Sequence, residues 1–168
     1  YPTGATATPV PQVIGPPNAP LFTLGRWAPG AAPAAGPFPL IVLLDGTGGS
    51  AQIMGWLASA LALRGYVVAG VNHPGNNALE GYTAEGFSIW WERARDLTTI
   101  IDSVLRDPAL GAVIDRRRIG AAGFSRGGYT MFEIAGARTD PALFEKYCQA
   151  PEAEGCAAPP EFPDLLAR

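Results

Sequence analysis

A single histidine, His73, and two cysteines are all that the 168 residues hold in the way of strong metal ligands. Two thiols and one distant imidazole lack the number and spacing of a zinc site, so no metal is expected, and no cofactor either. No apolar run approaches the roughly 18 residues that a membrane-spanning helix requires. The 12 Lys and Arg are scattered and the formal net charge is -3. Nucleic acid is therefore not an expected partner. What the chain does have is 48% hydrophobic and 16% charged residues, the balance of one globular domain, or part of one, with a sizeable core.

Proline divides the chain. Residues 1–39 hold ten of the 17 prolines, and proline removes the donor that a sheet ladder needs. An extended leader is expected there, with Leu21-Phe22-Thr23-Leu24-Gly25-Arg26-Trp27 as one possible strand on the edge of a sheet. Residues 40–168 form the second unit. Its first segment, Leu40-Ile41-Val42-Leu43-Leu44, is continuously apolar, as a parallel strand covered on both faces would be. A glycine-rich turn, Asp45 to Gly49, leads to a helix expected from an N-cap at Ser50 to Arg64, with Gly65 past its end. Tyr66 to Val71 reads as the next strand and Asn72 to Gly86 as a loop. From Ile89 to Arg106 the residues Trp90, Ala94, Leu97, Ile101 and Val104 fall at helical steps, opposite Arg95, Thr99, Asp102 and Arg106. A further strand, Arg118 to Ala122, and a helix from Arg126 to about Ala135 complete three strand-helix alternations. That order implies a mostly parallel sheet with flanking helices, an α/β fold.

The chemistry concentrates in Gly123-Phe124-Ser125-Arg126-Gly127-Gly128. A serine between glycines, after a strand and before a helix, is the pattern of a nucleophile elbow, in which a tight turn lifts the hydroxyl above the end of a sheet. Ser125 would attack a carbonyl carbon, and the oxyanion so formed needs two preorganised donors. The backbone N–H of Arg126, at the start of a helix, is one candidate. The backbone N–H of Thr47, between Gly46 and Gly48, is the other. A serine of this kind is followed in sequence by an acid and then a histidine, and no histidine follows Ser125. Only 168 − 125 = 43 residues remain after it. The expectation is thus a hydrolase truncated after its nucleophile helix, partnered by a C-terminal fragment that carries Asp and His.

Several residues admit competing readings. His73 lies upstream of the serine and reads as a structural or pocket-lining residue rather than the base. Trp91 could flank a substrate, with Gly46, Gly48 and His73 as further binding candidates, whereas Trp90 suits the helix core. Asp96 and Asp102 read as a solvated helix face. Gly46-Thr47-Gly48-Gly49-Ser50-Ala51 also fits a dinucleotide fingerprint, but Asn72 stands where the ribose-binding acid would be. The chain begins at Tyr1 without methionine, as a removed export signal or a trimmed chain would leave it. A secreted or periplasmic protein would join Cys148 to Cys156, a link of about 2 to 3 kcal/mol in the chain-entropy model. Two free thiols in the cytosol are the alternative.

Taken together, the turn Leu43 to Ser50, the loop His73-Pro74-Gly75, the helix with Trp91, Arg93, Asp96 and Leu97, the run Ile114 to Gly120 and the elbow resemble the serine-dependent relatives of dienelactone hydrolase and the platelet-activating-factor acetylhydrolases, within the α/β-hydrolase superfamily. The resemblance covers about Leu40 to Cys156. It implies an α/β-hydrolase fold, a small-molecule ester substrate, a nucleophile at Ser125 and oxyanion donors at Arg126 and Thr47. One departure is Asp45, where the family's glycine turn commonly begins with histidine. A non-catalytic hydrolase domain, acting as a binding or structural subunit, is the competing expectation.

Overall fold

Near the N-terminus the prolines do not prevent pairing. β1 (Val10–Ile14) and β2 (Phe22–Trp27) form an antiparallel pair of their own, with a register shift between Gln12 and Val13. The strand expected near Leu21 is therefore present, but its neighbour is β1 rather than the edge of the parallel sheet. β2 lies instead on the first helix. A methyl group at Gly25 would overlap the Ser59 side chain, so only glycine lets the two elements approach this closely. The computed structural model describes residues 1–16, 18–154, 156, 157, 160, 162 and 163.

β3 (Phe38–Leu44) is the apolar run predicted from sequence, and Leu40, Val42, Leu43 and Leu44 are at most 1% exposed. Beyond its turn the chain makes a 3₁₀ turn at Ala51–Met54 and then α1 (Gly55–Ala62). Ser50 makes no side-chain cap. The Ala51 N–H donates at 2.8 Å to Asn72 Oδ1, so a residue brought in by tertiary folding takes the cap's place. β4 (Val67–Gly70) follows, and β3 has β4 on one side.

The segment read as a loop contains structure. β5 (Asn76–Asn77) and β6 (Gly81–Tyr82) pair antiparallel, and α2 (Ala84–Ser88) starts at Thr83, whose hydroxyl accepts from the Gly86 N–H at 2.9 Å. A 3₁₀ turn at Trp90–Glu92 precedes α3 (Arg93–Arg106), whose Leu97, Ile101 and Val104 pack on the sheet as their spacing requires. β7 (Ile114–Gly123) pairs parallel with β3, giving the order β4-β3-β7. α4 (Arg126–Ile134) and α5 (Pro141–Cys148) follow. The core thus sits between the parallel sheet and its helices, around Leu40, Val42, Leu44, Val67, Leu97 and Ile114. Cys148 and Cys156 are joined in a disulfide. Among the described residues no helix is long and apolar enough to cross a membrane.

Candidate active site

Parallel strands end on the same side of a sheet, so the turns after β3 and β7 emerge together, at the edge where open α/β sheets place their ligands. The turn after β7 is a strained elbow. Ser125 has φ 53° and ψ −120°, and no other described non-glycine residue has positive φ. Such a conformation costs about 1 to 3 kcal/mol and persists only where its surroundings impose it. The surroundings here are backbone. A methyl group at Gly123 would strike Gly127, and one at Gly127 would strike the carbonyl oxygens of Leu44 and Asp45. The Phe124 N–H donates to the Leu44 carbonyl at 3.1 Å, tying the elbow to the end of β3. Ser125 itself is exposed and begins α4.

The turn after β3 comes close to the serine. A Cβ on Gly46 would lie 3.1 Å from the Ser125 Cβ. Within this turn the Gly49 N–H donates to the Gly46 carbonyl, whereas neither the Thr47 nor the Arg126 backbone N–H donates to another backbone group there. Both are candidates for an incoming oxyanion.

Four buried or half-buried ionisable groups lie behind this turn, and sequence reading found no role for three of them. Arg93 is 3% exposed, and its Nη2 donates to the Asp45 carbonyl oxygen at 3.1 Å and to Asp45 Oδ1 at 2.9 Å. Burial pushes the Asp45 carboxyl up, against the opposing pull of Arg93 and then His73, and burial lowers the Arg93 guanidinium. His73 is 2% exposed, and its Nδ1 lies 2.7 Å from Asp96 Oδ2. Asp96 is therefore half-buried against His73 rather than on a solvated face, because α3 turns that side toward the loop after β4. Asp102 does remain on the solvated side, 2.8 Å from Arg106. The buried atoms Asp45 Oδ2, His73 Nε2, Arg93 Nε and Arg93 Nη1 have no hydrogen-bond partner among the described residues. Asn76, 1% exposed, holds the same turn from its other end by accepting from the Gly48 N–H at 2.9 Å. An Asn inside a presumed loop carries no periodic signal, so sequence could not mark it.

Of the binding candidates, Gly46 and Gly48 lie in the turn beside Ser125 and Thr47 is exposed at its tip. His73 is inside, on Asp96, and makes no hydrogen bond to Ser125. Trp91 is 52% exposed and meets Trp90 edge-on, and Trp90 in turn meets Tyr129 of α4. The Arg126 side chain turns toward Phe87, with its Nη1 donating to the Phe87 carbonyl at 2.8 Å.

No protein-family model matches the chain, and no curated protein does so at a significant level. Among solved structures it is similar to the ferulic acid esterase of Streptomyces cinnamoneus, at 33% identity and a TM-score of 0.53. The fold is hydrolase-like. The likeness covers 63% of this chain and 35% of the esterase, so the chain spans about a third of the length of that relative.

Proposed function

We propose that the chain is the nucleophile-bearing part of a carboxylic-ester hydrolase. The observation that carries this reading is the positive φ of Ser125 at the junction of β7 and α4, held against a glycine turn with unengaged N–H groups. The likeness to a ferulic acid esterase supports ester chemistry. In this reading Ser125 Oγ attacks the ester carbonyl carbon while a base takes its proton. The oxyanion is held by the N–H groups of Thr47 and Arg126. Collapse breaks the bond to the alcohol, which leaves with the proton, and water then releases the acid from the acyl-enzyme by the same route.

The base and its acid are supplied by a C-terminal segment of the same hydrolase outside residues 1–168. Two observations support this. His73 is the sole histidine and is engaged inside with Asp96. Among the described residues β7 pairs with β3 alone, so its other edge is free to receive a strand. A second reading rests on the His73 Nδ1–Asp96 distance of 2.7 Å, the geometry by which an acid orients a catalytic histidine, with Nε2 unpartnered.

An active-site-directed fluorophosphonate tests the nucleophile. In the protein assembled with its C-terminal complement it should label Ser125 and nothing else, and Ser125→Ala should remove labelling and turnover of nitrophenyl esters. Labelling at another serine sinks the reading. The two sources of base separate cleanly: residues 1–168 alone should turn over esters feebly and recover with the complement, whereas full activity that His73→Gln abolishes would install His73 as the base.

A further inference from the structure

The N–H groups of Thr47 and Arg126 belong to different turns, and one short segment grips both. The Gly48 N–H, one residue past Thr47, donates to Asn76 Oδ1 at 2.9 Å, and Asn76 Nδ2 donates to the Gly86 carbonyl at 3.2 Å. Only one orientation of that amide satisfies both partners. The next carbonyl along the chain, that of Phe87, accepts from Arg126 Nη1 at 2.8 Å, and the guanidinium carbon lies 4.6 Å from the Phe87 ring centre. A line of side-chain hydrogen bonds thus runs from Gly48 through Asn76 and α2 to Arg126.

The segment between these contacts is built to transmit position. The Thr83 N–H donates to the Gly75 carbonyl at 2.9 Å, the Thr83 hydroxyl accepts from the Gly86 N–H, and a methyl group at Gly86 would strike the Gly75 backbone. A second tie to the first turn comes from the Ala78 N–H, which donates to the Gly49 carbonyl at 2.8 Å. Asn76 is 1% exposed, so losing either of its partners leaves a buried polar group unpaired and disturbs the whole line rather than one link. We propose that residues 75–87 form a bridge that sets the separation of the two oxyanion donors, with Asn76 and the side chain of Arg126 as its positioning residues. The proposal rests on the hydrolase reading and deepens it. An oxyanion needs both donors within about 2.7 to 3.1 Å at once. The bridge achieves this spacing without occupying either N–H, because it holds Thr47 through its neighbour Gly48 and Arg126 through its side chain.

A double-variant cycle in the protein assembled with its C-terminal complement tests the bridge. Asn76→Ala and Arg126→Met should each lower kcat on nitrophenyl acetate about tenfold while KM moves less than about threefold, because displaced donors fail the transition state and not the ground state. Together they should cost little more than either alone, against the about hundredfold loss of two independent effects. Arg126→Lys keeps a charged donor for the Phe87 carbonyl and should recover part of kcat. Losses that multiply, losses that fall on KM alone, or a lysine variant no faster than the methionine one overturn the proposal. Amide exchange supplies a readout that needs no turnover. Arg126→Met should quicken exchange at Gly48, which the Arg126 side chain does not touch, and unchanged exchange there overturns the bridge. That variant also keeps the test valid should Asn76→Ala fail to fold. Fluorophosphonate labelling of Ser125 reports separately on the hydrolase reading. Quickened exchange without labelling leaves the bridge and overturns its catalytic role, and labelling with losses that multiply keeps the hydrolase and removes the bridge.

Discussion

The turns after β3 and β7 lie side by side, yet they are held in different ways. The elbow is fixed by backbone, its own and that of the end of β3: Gly123 and Gly127 leave no room for a side chain against Gly127 and the Leu44 and Asp45 carbonyls, and Ser125 is held at φ 53°. The turn carrying Thr47 is fixed by side chains from elsewhere, Arg93 on Asp45 at one end and Asn76 on Gly48 at the other. A backbone device needs small residues at set positions in one short segment, whatever strand it closes against. A side-chain device is distant, needs burial, and leaves polar atoms that must be matched.

The sharpest way to break the contrast is to remove the imported brace. Arg93→Ala strands the buried Asp45 carboxylate, and taking away one partner of a buried pair costs about 3 to 5 kcal/mol. Urea unfolding at pH 7 should show a loss of that size. The pH dependence has a definite sign. The Asp45 folded pKa lies above its ordinary 3.8, and without Arg93 it rises further. The ionised carboxyl then favours unfolding at pH above the folded pKa, and this cost fades as the pH falls toward 3.8. The variant's deficit should therefore shrink as the pH falls through its folded Asp45 pKa toward 3.8, and a deficit that grows on acidification would refute the role given to Arg93.

The elbow is next. Gly127→Ala drives a methyl group into the Leu44 and Asp45 carbonyls, and overpacking against backbone that cannot yield costs about 3 kcal/mol. Gly128→Ala, whose nearest atom in the comparable place is the Gly123 carbonyl oxygen at 3.4 Å, should be far milder. Similar losses in the two variants would mean that glycine content, rather than close approach, holds the elbow. Asn76→Ala leaves the Gly48 N–H without its partner, for about 2 kcal/mol. Amide exchange should then quicken at Gly48 while the β7 amides stay protected. The smallest effect has the opposite direction. Ser125→Gly releases the strain at φ 53°, and the chain should gain about 1 kcal/mol while losing the nucleophile. A loss of stability would show the serine side chain to be holding the elbow together.

How far each region could be read in advance follows from the same contrast. Gly123 to Gly128 declared itself because glycines at fixed offsets around a serine record a steric requirement within six residues. The helix Arg93–Arg106 was legible for a similar reason, since Leu97, Ile101 and Val104 repeat at the period of the face they bury. Asp96 was misread as solvated because its periodicity places it off the core stripe, while the loop after β4 folds back and sets His73 against it. The β1–β2 pair was hidden by proline composition, although Pro11 opposite Arg26 is tolerated in a two-stranded ribbon with free edges.

By itself the amino-acid sequence determined the alternation of strands and helices, the apolar β3, the position of Ser125 at a strand-to-helix turn and the nearness of Cys148 to Cys156. Each is written in neighbouring residues, where sterics and hydrophobic period act over a few positions. Tertiary structure alone decided that Arg93 and Asn76 clamp the Thr47 turn, that His73 faces Asp96 inside, and that Tyr82, Phe87 and Phe162 meet beside Thr47. Those contacts join residues as many as 115 positions apart, as from Thr47 to Phe162. Burial supplies their energy, and only the closed fold says which polar and aromatic groups are buried together.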